Sequence, residues 1–352
     1  MENCRNEFED QSVNSTNLKS ERFSWPKEFQ DRILEYYKKN RAIDSETLVV
    51  LLVSYLLMIA IGAIGNGLVS FAVLRKPSMR TPRNLFILNL AISDLTLCLI
   101  TMPFTLIEIV TRYWTLGKIA CKLMTGMQAT SIFVSAMSIT AIARDRYHVI
   151  VNPTQNSSKI SNTLIRTIFI WAFALLLASP LFFYKRICQV TVPDAIADRI
   201  DTPLYYCFED WPSTDSRNNY SLFTCIFQYL LPTIIVVISY THIYQKLKGR
   251  MSQKRSVIKL DERIKAEEKR TRRTNTLLIS ISLIFCISWM PLYILNLISD
   301  FKLLKLDDKD YRLVFAVCHI IGMSSACINP LLYGWLNDNF QKEFKEIFSV
   351  QL

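Results

Sequence analysis

Leu48-Val49-Val50-Leu51-Leu52-Val53-Ser54-Tyr55-Leu56-Leu57-Met58-Ile59-Ala60-Ile61-Gly62-Ala63-Ile64-Gly65-Asn66-Gly67-Leu68-Val69-Ser70-Phe71-Ala72-Val73-Leu74 carries no charged side chain. A bilayer core about 30 Å thick is crossed by about 20 helical residues, so this run is long enough to span it. Its apolar residues are continuous rather than alternating, which argues against a strand. Six further runs of the same character follow, over residues 84–107, 119–143, 164–184, 221–245, 275–299 and 312–335. Lipid offers no partner to open backbone groups, so the runs predict an all-α membrane protein, a seven-transmembrane helix bundle. Composition agrees: 51% of residues are hydrophobic and only 20% charged, with a mean hydropathy of +0.21. Disordered, collagen-like and small disulfide-framework classes are thereby excluded. The odd number of runs and the lack of an internal repeat weigh against an inverted-repeat transporter. No short apolar run precedes residue 45, so the first span is expected to serve as the anchor.

Charge sets the expected orientation. Arg75, Lys76, Arg80 and Arg83 follow the first run without an acid, and Lys246 to Arg273 is rich in Lys and Arg. The 1–46 tail has more acids than bases, and the 185–219 loop carries Asp194, Asp198, Asp201, Glu209, Asp210 and Asp215. The positive-inside rule then places the N-terminus outside, in a multi-pass plasma-membrane protein. The net charge of +11 becomes a cytoplasmic topology signal beside anionic lipid, not a nucleic-acid surface. Residues 1–47 read as an extracellular tail, 48–335 as the membrane domain, and 336–352 as a cytoplasmic amphipathic helix with a short tail. In that last segment Phe340 to Phe348 alternates apolar and charged residues at helical spacing, fit to lie on a membrane surface. The sequons at Asn14 and Asn219 fall outside, where glycosylation is expected, and Asn156 falls inside.

Cys98, Cys286 and Cys327 lie within spans and read as small packing residues. Cys121, at the outer end of the third span, is expected to pair with Cys207, with Cys188 as the alternative partner. Two extended runs, 187–192 and 204–207, predict a hairpin between them.

Polar groups at depth are functional candidates. Asp94 is the clearest, with Asn66, Ser135 and Asn329 at comparable depth. Asp145-Arg146-Tyr147 closes the third span at its basic end, where an acid can hold an arginine until a partner competes for it. Pro180, Pro232, Pro291 and Pro330 interrupt the last four spans, and Trp289 and Tyr333 stand beside two of them. With only three histidines and no nucleophile–base pair, an enzyme is not indicated. A channel or transporter, the rival from another class, would need more intramembrane charges than the nearly solitary Asp94.

Asn66, Asp94, Cys121, Asp145-Arg146-Tyr147, Trp171, Pro232, Trp289-Met290-Pro291 and Asn329-Pro330-Leu331-Leu332-Tyr333 fall one per span and in order. The chain therefore resembles class A, rhodopsin-like G-protein-coupled receptors over residues 48–348. Gln128 and Met323 stand where amine receptors carry aspartate and opsins carry lysine, so neither ligand class is implied. Arg80 to Asp94, Cys207-Phe208-Glu209-Asp210-Trp211-Pro212, Cys318-His319 and Asn329 to Gln341 are similar to the neuropeptide Y and neuropeptide F receptors. That resemblance implies an amidated peptide ending in Arg-Phe-amide or Arg-Tyr-amide, and coupling to a heterotrimeric G protein of the Gi/o class. Gln128, Gln228, Asn296, Asp300 and His319 match positions lining that family's peptide pocket, and Thr105 and Glu209 join them as candidates. No cofactor is implied beyond an allosteric sodium ion at Asp94, Ser135 and Asn329. Asp145, Arg146, Tyr147, Tyr240, Trp289, Pro291, Asn329, Pro330 and Tyr333 are its implied switch residues.

The residues themselves support parts of this. Trp289, Asn296 and Asp300 are spaced i, i+7, i+11 and share one helical face. A carboxylate at that outer end can meet an arginine in a charge-assisted pair. Gln128 and Gln228 offer both donors and acceptors, which suits a neutral terminal amide. Three plainer roles compete: Asp300 pairing with Lys302 or Arg312, His319 as a hydrogen-bonded bundle histidine, and Gln228 as a helix–helix contact. Among departures from the family, Ser288 replaces a cysteine, Ala136 replaces a branched aliphatic, and no cysteine for a palmitoyl anchor follows Phe340. Within the receptor class the runner-up is a receptor for another amidated peptide, tachykinin-like or RFamide.

Overall fold

The computed structural model describes residues 26–151, 160–255, 262–304 and 306–349. Seven helices are long and apolar enough to cross a membrane: Ser45–Arg75, Pro82–Val110, Gly117–Val151, Ile160–Tyr184, Thr214–Gly249, Arg272–Asp300 and Asp308–Leu336. Each contains its expected apolar run and extends it at one or both ends, because polar turns continue the backbone ladder beyond the apolar core. Burial ranks them. In the third span 72% of the apolar window is buried, against 17% in the first and fifth. The third span is therefore the axis, and the first, fourth and fifth turn Ile64, Ile168 and Ile238 outward.

Local signals set the helix starts. The Asp44 carboxylate caps the first span, accepting from the Thr47 N–H at 3.1 Å, and Thr81 caps the second with Pro82 at its first position. Wide π-turns at Leu97–Thr101 and Cys225–Leu230 precede Pro103 and Pro232. A ring nitrogen cannot continue the ladder, and the wider turn absorbs the break. Asn89 fastens three spans at once, donating to Ser138 Oγ at 2.8 Å and accepting from Trp171 Nε1 at 2.7 Å. Such pairs hold helices together where lipid gives no hydrophobic drive between them.

Strand β1 (Lys185–Gln189) begins directly after the fourth span and pairs antiparallel with β2 (Tyr205–Glu209), with Ile187 opposite Cys207. Both strands thus differ by a few residues from the expected runs, since the Asp210 N–H donates to the Tyr184 carbonyl at 2.8 Å and starts the ladder at the helix end. Cys121 and Cys207 form a disulfide, which ties the hairpin across this end of the bundle. A helix over Lys27–Lys38, unforeseen in the tail, docks here as well. Asn40 joins it to the loop after the second span, accepting from the Arg112 and Tyr113 N–H groups at 2.9 and 2.7 Å. At the opposite end the helix Asp338–Ser349 follows the seventh span. Of the sequons, Asn14 and Asn156 lie outside the described residues, and Asn219 is exposed.

Candidate functional site

A cavity of about 580 Å³ opens at the hairpin end, between the second, third, fifth, sixth and seventh spans. Its floor is Trp289, whose Nε1 donates to Ser325 Oγ at 3.1 Å. The ring lies close against Gly322, where an added Cβ would sit 3.3 Å from the indole. Above it Thr105 donates to Gln128 Oε1 at 3.2 Å. Gln228 sits in the wide turn of the fifth span, where Nε2 donates to the Ala129 carbonyl at 3.0 Å and Oε1 accepts from Tyr293 at 2.6 Å. Asn296 and Asp300 continue the Trp289 face of the sixth span toward the mouth.

The mouth is charged with both signs. Lys185, 9% exposed in its side chain, lies 3.6 Å from Glu108 and 3.9 Å from Glu209. Burial alone would push its ammonium down, but Glu108 and then Glu209 overcome this and hold it above its ordinary value. Arg312 pairs with Asp308 at 2.9 Å and donates to the carbonyls of Glu108 and Thr111 at 2.8 and 3.1 Å. It thereby satisfies the open C-terminal end of the second span. Asp300 accepts from Ser221 and lies 2.8 Å from Arg217. Its partners are thus neither Lys302 nor Arg312.

Of the expected ligand residues, Thr105, Gln128, Glu209, Gln228, Asn296 and Asp300 line this one cavity. His319 does not. It is fully buried behind Phe315, with Nδ1 2.9 Å from the Tyr55 hydroxyl, joining the first and seventh spans. Sequence reasoning passed over Lys185, Arg217 and Tyr293, and considered Arg312 only as a partner for Asp300. The signal for Arg217 was present, since Arg217, Ser221 and Gln228 are spaced i, i+4, i+11 on one face of the fifth span.

Deeper in the bundle Asp94 accepts from Asn329 Nδ2 at 2.9 Å and from Ser135 Oγ at 3.4 Å. Asn66 instead donates to the carbonyls of Gly62 and Ala326, both at 2.9 Å. The amide oxygen of Asn329 is buried without a hydrogen bond. A carboxylate, a hydroxyl and an open amide oxygen are all hard donors, a set that fits a small hard cation. At the far end Arg146 pairs with its neighbour Asp145 at 2.5 Å, and Tyr147 meets His242 edge-on at 5.9 Å. Tyr240 and Tyr333 are both buried nearby in the core. Arg273, at the start of the sixth span, pairs with Asp338 at 2.5 Å and donates to the Trp335 carbonyl.

The seven-helix bundle, the hairpin disulfide and this polar axis define a class. The model of the 7 transmembrane receptor (rhodopsin family) matches residues 65–333, and the chain belongs to that family. Among individual proteins it is 49% identical over 318 residues to the neuropeptide F receptor of Drosophila melanogaster, covering 90% of this chain and 65% of that receptor. The chain thus spans just under two thirds of the Drosophila receptor's length. It is 35% identical over 311 residues to the human neuropeptide Y receptor type 2, covering 87% and 78% of the two chains. A putative neuropeptide Y receptor 11 of Caenorhabditis elegans is 34% identical over 303 residues, with 84% and 74% covered.

Proposed function

We propose that this chain is a plasma-membrane receptor for an amidated neuropeptide of the neuropeptide Y or F type, ending in Arg-Phe-amide or Arg-Tyr-amide. The supporting observation is the chemistry of this cavity, neutral Gln128 and Gln228 at depth and the carboxylate of Asp300 at the rim. In this reading Asp300 takes the peptide's arginine, and Gln128 with Thr105 and Asn296 takes the terminal amide. Glu209 flanks the mouth, and His319 acts through its bond to Tyr55 rather than by touching the peptide. The tail and hairpin face outside, with glycans at Asn14 and Asn219.

Binding shifts a population; no bond is made or broken. The bound peptide favours a state in which the sixth span swings outward about Pro291 below Trp289. Arg146 leaves Asp145, Tyr240 and Tyr333 rearrange around it, with Tyr147 and the Asn329-Pro330 segment, and a Gi/o-type G protein enters from the cytoplasm. By linkage the G protein then tightens peptide binding. A sodium ion held by Asp94, Ser135 and Asn329 would supply positive charge to the buried carboxylate and favour the closed state.

The test is inhibition of cAMP in cells expressing the chain, with Arg-Phe-amide and Arg-Tyr-amide peptides and their free acids. Amides are expected to act, free acids to lose potency, and pertussis toxin to abolish the response. Equal potency of amides and acids would remove the amide assignment, and a response only to tachykinin-like amides would favour the runner-up peptide class.

A further inference from the structure

The Asp300 carboxylate already holds a cation belonging to the receptor itself. Arg217 Nε lies 2.8 Å from Oδ1, while Ser221 serves Oδ2. That Nε is buried, yet its N–H is aimed at no acceptor. Arg217 therefore supplies charge to Asp300 without a well-formed hydrogen bond. The two partners also differ in freedom: the Arg217 side chain is 41% exposed and that of Asp300 only 9%. The arginine can leave toward water at little cost, and the acid cannot. A second carboxylate waits beside it, with Glu209 Oε2 4.0 Å from the same Nε and fixed in place by Trp211 Nε1 at 2.8 Å.

Resting on the arginine assignment proposed above, we infer that Arg217 is a resident occupant of the ligand's arginine subsite, an internal counter-ion that any cationic ligand residue must displace. Any incoming cation must displace Arg217 toward Glu209 before it reaches Asp300. A guanidinium presents two parallel N–H groups and gains a bidentate pair that Arg217 does not make. An ammonium is a point charge and gains little over the contact it breaks. The exchange keeps every charge paired, because Glu209 receives the displaced side chain. Arg217 thus acts by raising the requirement for entry by the same amount for every cation.

The experiment uses the full-length receptor in membranes and three amidated peptides identical except for Arg, Lys or citrulline at the penultimate position. Affinities are measured on the wild type, Arg217→Ala, Arg217→Gln and Asp300→Ala. The wild type is expected to rank Arg above Lys above citrulline. Both Arg217 variants should tighten the Arg and Lys peptides alike, by about twofold to fivefold, the size of a half-exposed ion pair. The citrulline peptide should be unmoved. Asp300→Ala should weaken the Arg peptide by about tens- to thousands-fold, and should erase the effect of Arg217→Ala when the two are combined. Arg217 variants that weaken the Arg and Lys peptides or leave them unmoved, or that tighten the citrulline peptide equally, would overturn the inference while the arginine assignment stands. Equal binding of the Arg and citrulline peptides to the wild type would overturn both.

Discussion

Gln228 spends both ends of its amide inside the protein, on the Ala129 carbonyl of the third span and the Tyr293 hydroxyl of the sixth. A glutamine at the depth of a ligand cavity could equally contact a ligand, and its place among those lining residues does not remove these two bonds. Helix–helix hydrogen bonds in lipid are worth about 0.6 kcal/mol on average and up to about 1.7. Gln228→Leu is expected to destabilise the ligand-free receptor by an amount in that range, since it leaves the Tyr293 hydroxyl without its acceptor. Replacing both partners, in Gln228→Leu with Tyr293→Phe, should recover part of the loss, because no polar group then remains buried and unpaired. Thermal unfolding in detergent reads both changes. A double variant no more stable than Gln228→Leu would show that the hydroxyl was never dependent on the amide. His319 follows the same logic, with its sequence position beside the ligand residues but its hydrogen bond behind them, on Tyr55.

At the scale of the element, the helix Asp338–Ser349 is clasped to the loop after the first span. Phe340 is fully buried and stacks on Tyr333 at 5.5 Å. Glu343 is 2% exposed and 2.9 Å from Lys76, which also reaches Glu346 at 2.9 Å. The clasp holds the element by charge and aromatic packing. Its pH dependence has a definite sign. Lys76 holds the Glu346 carboxyl below its ordinary value, so that contribution is full above the ordinary value and lost as pH falls through the lowered one. Glu343 and then Glu346 hold the Lys76 ammonium above its ordinary value, so its contribution is full below that value and lost only as pH rises through the raised one. Across neutral pH the distance between spin labels at Ser78 and Ser349 should be constant, and it should broaden only as pH falls below the ordinary carboxylate range. Lys76→Ala should broaden it at neutral pH and remove the acid step. A Lys76→Ala receptor with the wild-type distance at every pH would mean that Phe340 alone docks the helix.

Across the whole molecule the two ends are joined by the sixth span, which carries Asp300 at one end and Arg273 at the other. Arg273 binds Asp338 at 2.5 Å, just beyond the seventh span, and the Trp335 carbonyl in that span's last turn. The pair Asp145–Arg146 is local to the third span and cannot by itself restrain the sixth. Arg273 can, and the proposed outward swing must part it from Asp338. Arg273→Ala is expected to raise ligand-free signalling by about twofold to fivefold, the effect of removing a half-exposed ion pair from the closed state alone. Basal cAMP inhibition at matched surface expression measures it. Unchanged basal signalling in Arg273→Ala and in Asp338→Asn would place the restraint elsewhere.

Seven spans, their order and the family's marks were legible in the chain because lipid makes an apolar run of about 20 residues almost unambiguous. Six of the seven expected ligand residues were also legible as neighbours, since helical spacing puts Trp289, Asn296 and Asp300 on one face whatever the bundle does. The partners of those residues were not legible. Which of Lys302, Arg312 or Arg217 meets Asp300, and whether Cys121 takes Cys207 or Cys188, depends on how separate spans and the hairpin are brought together. The docked helix Lys27–Lys38 belongs with them, being short and polar enough to read as tail until Leu34 finds a surface to bury against. Periodicity and hydropathy act within one segment and were sufficient there. Ion pairs, disulfides and burial are relations between segments far apart in the chain, and only the folded bundle decides them.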